Sequence, residues 1–208
     1  MEIFVFLLEL IGTVSFAVSG AMVGLKRHMD IFGVCVLGLA TACGGGVLRD
    51  VLMGNLPPVM FRKPVYALAA LLCSVVVFLP RVRRILLRED RMYEIMMLIS
   101  DALGLGIFTA VGVATALRAG YDSRFFAVFL GTITGVGGGM LRDVLAGQAP
   151  YILVKHFYAC AAILGAIGFV LLRPVLGEAG GIIFCCVSIL VLRILAAHYR
   201  WSLPKATE

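Results

Sequence analysis

Two stretches decide the reading of this chain: Gly44 to Leu52, GGGVLRDVL, and Gly137 to Leu145, GGGMLRDVL, 93 residues apart. Extended to Pro57 and Pro150, the two copies agree at ten of fourteen positions, so the motif is duplicated. Each copy sets three glycines and an Arg-Asp pair inside apolar sequence. Glycines weaken a helix, and charge within lipid is expensive.

The surroundings are lipid-like. Of 208 residues, 62% are hydrophobic and 14% charged, with a mean hydropathy of +1.05. A soluble domain keeps about a quarter of its residues charged. Seven apolar runs are predicted to cross a bilayer as helices: residues 3–25, 31–54, 64–80, 92–117, 125–147, 156–172 and 179–197. The first follows Glu2 with no preceding Lys or Arg and is long for a signal core, so it reads as a retained helix.

Outward from the motif the duplication continues. Glu9 falls opposite Asp101, Gly12 opposite Gly104, Phe16 opposite Phe108, Gly20 opposite Gly112 and Lys26 opposite Arg118. The third helices of the two units match only in length and hydropathy. The expected fold is therefore an all-α polytopic membrane protein. It forms one membrane domain over 1–208, with repeat 1 at about 3–80, repeat 2 at about 92–172 and a seventh helix at about 179–198. Three spans per unit is an odd number, so the second copy enters the membrane upside down, as an inverted 3+3 repeat.

The net charge of +6 carries its information in its distribution. With seven spans, the loops opposite the N-terminus hold Lys26, Arg27, Arg81, Arg83, Arg84, Arg88, Arg91, Lys155, Arg193, Arg200 and Lys205. The N-terminal side holds Arg62, Lys63, Arg118, Arg124 and Arg173. Eleven against five places the N-terminus outside and the C-terminus in the cytoplasm. Once that charge is assigned to loops, nucleic acid is not an expected partner. The six cysteines read as small buried hydrophobes, and the three histidines are scattered without ligand spacing.

Three consecutive glycines lower helix propensity by about 3 kcal/mol relative to alanine, which points to a kinked or unwound hinge at Gly44, Gly45 and Gly46 and at Gly137, Gly138 and Gly139. Close helix packing is the competing reading. Helix depth then selects partners for the arginines. At 1.5 Å per residue, Glu9 and Arg49 both fall on the external half of the bilayer, and Asp101 and Arg142 on the cytoplasmic half. Two clusters are predicted: Glu9 with Arg49 and Asp50, and Asp101 with Arg142 and Asp143. Each holds two acids and one base, a net negative charge suited to a passing cation. A paired ion cluster that only locks helices together is the alternative.

A doubled GGGxxRD motif on three plus three plus one helices resembles the bacterial branch of the trimeric intracellular cation (TRIC) channels, also known as glycine-transporter-domain proteins. The resemblance implies a homotrimer in the bacterial cytoplasmic membrane, each protomer with its own pore passing K⁺ or Na⁺. It places kinked second and fifth helices around the pore, with Arg49 and Arg142 at the constriction. No cofactor or metal is expected. A secondary transporter of glycine or another small zwitterion remains the alternative, with an Arg holding a carboxylate and Asp50, Asp101 or Asp143 an ammonium group. An enzyme is not expected, since no nucleophile-base pair, HExxH or P-loop occurs.

Overall fold

The computed structural model describes residues 2–86, 88–121, 123–154 and 157–201. Lys155, His156 and Lys205, which enter the charge balance and the sixth run, lie outside the described residues. Helices occupy Glu2–Lys26 (α1), Ile31–Leu52 (α2), Val59–Arg62 (α3), Val65–Phe78 (α4), Pro80–Leu86 (α5), Asp90–Arg118 (α6), Arg124–Leu145 (α7), Tyr151–Val154 (α8) and Tyr158–His198 (α9). Among the described residues, α1, α2, α6, α7 and α9 are long and apolar enough to cross a membrane, and α4 with α5 makes a sixth if that bent pair is one span. This is an all-helical membrane protein.

Two features depart from the sequence reading. The run 64–80 does not continue as one straight helix: α4 and α5 meet at 76°. Leu79, placed before Pro80, is pushed into extended conformation (φ −54, ψ 138), and Pro80 opens the next helix where its missing N–H is harmless. Further on, α9 is two helices across a kink, broken at Gly177 (φ 70, ψ −178), three residues after Pro174 and between the expected runs 156–172 and 179–197. Neither glycine triplet unwinds its helix, for α2 and α7 remain helical throughout. In hydrocarbon no water takes over a freed backbone group, so retaining the helix outweighs glycine's low propensity.

The glycines instead form a crossing. A methyl group on Gly45 would overlap the Thr134 carbonyl oxygen, and one on Gly138 would overlap the Thr41 carbonyl oxygen. Likewise a methyl on Gly44 would lie 2.5 Å from Leu141 Cδ1 and one on Gly137 2.7 Å from Leu48 Cδ1. These contacts are reciprocal between α2 and α7, so the backbones touch where side chains would hold them apart. Phe16 of α1 and Phe108 of α6 stack beside the crossing, ring centres 5.4 Å apart, Phe16 against Gly104 and Phe108 against Gly12.

Both motif helices also start and stop alike. Asp30 accepts from Gly33 N and Ser123 from Phe126 N at their N-termini. At the C-termini, Gly54 (φ 68) and Gly147 (φ 65) take the left-handed turn that glycine favours. Asn55 N donates to the Asp50 carbonyl and Gln148 N to the Asp143 carbonyl, closing two Schellman motifs.

Candidate functional site: two arginine-carboxylate clusters

The fixed helix ends aim the Arg-Asp pairs inward. In the first cluster Arg49 Nε lies 2.9 Å from Asp50 Oδ1 and Nη1 lies 3.9 Å from Glu9 Oε1. Asp50 Oδ2 accepts from Val59 N at 2.8 Å, so the same carboxylate caps α3. Glu9 Oε2 accepts from Tyr66 Oη at 2.5 Å. Glu9, Thr13, Cys43, Gly46, Arg49 and Tyr66 border a cavity of about 40 Å³. That is room for a few waters. Gly46 faces it with open space, nothing nearer than Arg49 Nη2 at 4.0 Å from an added methyl.

The second cluster repeats the plan in a closed form. Arg142 Nη1 donates to Asp101 Oδ1 and Nε to Asp143 Oδ1, both at 2.8 Å, and Nη1 also donates to Ser19 Oγ. Asp143 Oδ2 accepts from Tyr151 N at 2.7 Å and so caps α8, while its Oδ1 accepts from Gln148 Nε2 at 2.9 Å. Arg142 and Asp143 have no solvent exposure, whereas the Glu9 side chain retains 18%. Gln148 also accepts from Arg27 across the end of the bundle.

One helix touches both clusters. Glu9 and Ser19 are ten residues apart on α1, which sets the clusters about 15 Å apart, with Phe16 between them.

Several participants were missed from sequence, Arg193 and a tyrosine pair among them. Arg193 is not a loop residue: it is 3% exposed inside α9, with Nη2 3.8 Å from Asp101 Oδ2 and its guanidinium 4.7 Å from the ring centre of Tyr158 and 5.5 Å from that of Tyr151. It changes the balance. The first cluster sets Glu9 and Asp50 against Arg49; the second sets Asp101 and Asp143 against Arg142 and Arg193, and is formally neutral. The Tyr66/Tyr158 pair was another omission. Its signal was present, as residues 66–70 read YALAA and 158–162 read YACAA, so the third helices share more than hydropathy.

Loss of the Tyr66 hydroxyl leaves Glu9 with Arg49 as its charged neighbour at 3.9 Å. Tyr66→Phe is therefore expected to lower stability by about 1.5 kcal/mol, as for a hydrogen bond to a charged group. A reduced thermal midpoint in detergent checks this.

The Glycine transporter family model matches the chain twice, over residues 6–81 and 98–174, one copy of the motif in each. YadS, a UPF0126 inner membrane protein of Escherichia coli K12, is 40% identical over 164 residues, 78% of this chain and 76% of YadS. Two solved structures superpose along nearly the whole length. One is a prokaryotic TRIC channel crystallised in 0.5 M KCl, with TM-score 0.88 and 31% identity, covering 98% of this chain and 100% of that one. The other is the TRIC trimeric intracellular cation channel orthologue from Rhodobacter sphaeroides, with TM-score 0.84 and 32% identity, covering 95% and 98%.

Proposed function

This chain belongs to the Glycine transporter family of membrane proteins, and from that premise we propose that it is a monovalent cation channel of the bacterial cytoplasmic membrane. One observation carries the reading: two arginine-carboxylate clusters stand about 15 Å apart on α1, one of them net negative and open to a cavity. The likeness to TRIC channels adds to it.

In this reading the spans number seven. They are α1, α2, α4 with α5, α6, α7, and α9 divided at Gly177; the first six form the inverted repeat and the segment after Gly177 stands outside it. K⁺ or Na⁺ passes along α2 and α7 within each protomer of a homotrimer. Glu9 and Asp50 draw the ion in, and Arg49 keeps them from trapping it. Phe16 and Phe108 form the apolar step between clusters. Gly46 and Gly139 are the triplet positions turned toward the charged groups, while Gly44, Gly45, Gly137 and Gly138 bring the two pore helices together. With Arg193 removed from the loop count the charge balance becomes ten against five, which still supports an external N-terminus and a cytoplasmic C-terminus.

Purified protein in planar bilayers is expected to give unitary currents that reverse near the K⁺ equilibrium potential in a KCl gradient. Glu9→Gln removes the charge beside the cavity and should cut the current on the order of fivefold, about 1 kcal/mol of lost attraction. Arg83→Gln, on the exposed basic segment, should change it little. Saturable glycine uptake with no unitary current would establish the transporter reading instead.

A further inference from the structure

The two halves match in sequence and in motif geometry but not in charge, and the difference comes from one side chain. Arg193 lies beyond residue 174, outside both family matches, on the segment with no counterpart in the first half. Its guanidinium is buried, faces Tyr151 and Tyr158, and stands 3.8 Å from Asp101 Oδ2. In the first cluster the equivalent carboxylate, Glu9, accepts from the hydroxyl of Tyr66, the counterpart of Tyr158, and among the described residues its ion-pair partner is Arg49 alone. A duplicated device has thus acquired a second cation at one end only.

We propose that Arg193 is a selectivity-setting residue: by neutralising the second cluster it makes that end the barrier to cations, and it gives conduction a preferred direction. The proposal rests on the channel reading above. A cation meets net attraction at Glu9, Asp50 and Arg49, and none at Asp101, Asp143, Arg142 and Arg193. Buried charges are weakly screened, so one guanidinium at this distance reshapes the energy profile on that side. An energy profile uneven about its centre passes unequal currents at equal and opposite voltages. The segment after Gly177 therefore contributes to permeation through Arg193, beyond any role in packing.

A charge cycle read in symmetric KCl tests this. Wild-type channels should rectify. Arg193→Gln leaves two acids against one base, and should raise the smaller of the two currents on the order of threefold and straighten the current-voltage curve. Asp101→Asn leaves one acid against two bases and should depress current by a similar factor. The double variant Asp101→Asn/Arg193→Gln is neutral again, and should return conductance and rectification toward wild type. It also removes both members of the ion pair together, which protects folding if Arg193→Gln alone leaves Asp101 poorly compensated. Arg193→Lys keeps the charge and should keep the rectification. Wild-type currents that are linear, unchanged rectification in Arg193→Gln, or additive losses in the double variant would overturn the role of Arg193 and leave the channel reading intact. Absence of any wild-type current would overturn the channel reading, and this proposal with it.

Discussion

Arg142→Ala should cost about 3 to 5 kcal/mol and leave little folded protein, because it strips the counter-charge from two sealed carboxylates. Arg142 has no solvent exposure and holds Asp101 and Asp143 at 2.8 Å each as well as the Ser19 hydroxyl. Three helices and α8 converge there, since Asp101 is on α6, Asp143 on α7, Ser19 on α1, and Asp143 caps α8. Without the guanidinium, Asp101 keeps Arg193 as a cationic neighbour, 3.8 Å from its Oδ2, while Asp143 and Ser19 lose the Arg142 donors they accept from. A loss of this size is a large share of the 5 to 15 kcal/mol by which folded proteins are ordinarily stable. Arg49→Ala should cost roughly half as much, because Glu9 borders a cavity that water can enter. Thermal unfolding in detergent and the yield of monodisperse protein measure both. Equal losses would mean that the first cluster is as closed as the second.

Gly138→Ala should destabilise by about 3 kcal/mol, the upper end for inserting a methyl into a packed interior. The atom it strikes is the Thr41 carbonyl oxygen, part of α2's own backbone, with Phe16 at 3.4 Å behind it. Neither can swing aside, so α2 and α7 must separate. Gly45→Ala, against the Thr134 carbonyl oxygen, is the mirror case and should behave alike. Gly46→Ala is the control. Its methyl enters open space, and replacing glycine within a helix contributes about 1 kcal/mol, so the midpoint should hold or rise. Were Gly46→Ala to match Gly138→Ala in damage, the crossing would not be where the glycines matter.

Much of this arrangement was legible because lipid is a severe solvent. A charge within a span must find a partner at its own depth, and that constraint alone paired Glu9 with Arg49 and Asp101 with Arg142, groups more than 39 residues apart. Arg193 escaped the same logic. It sits five residues before the end of α9, where a lone Arg reads as an interfacial charge, and what meets it inside is Asp101 of α6 with the rings of Tyr151 on α8 and Tyr158 at the far end of α9. That the glycine triplets stay helical was hidden for a related reason. Propensity weighs a residue within its own helix, whereas the value of Gly45 and Gly138 lies in what the opposite helix gains by approaching. The bend at Leu79–Pro80 was visible as a proline, but its angle depends on tertiary packing.

The reciprocal crossing of α2 and α7 also bears on how the protein is made. Gly45 rests on Thr134 and Gly138 on Thr41, so a close-packed seam of the first half is completed by residues translated about 90 positions later. Until α7 arrives, the glycine face of α2 has only lipid tails to lie against, which pack poorly into so narrow a groove. The nascent first half is therefore an unfinished surface waiting in the bilayer. A ribosome pausing after α5 should prolong its exposure to membrane chaperones and proteases, whereas a pause after α7 should not.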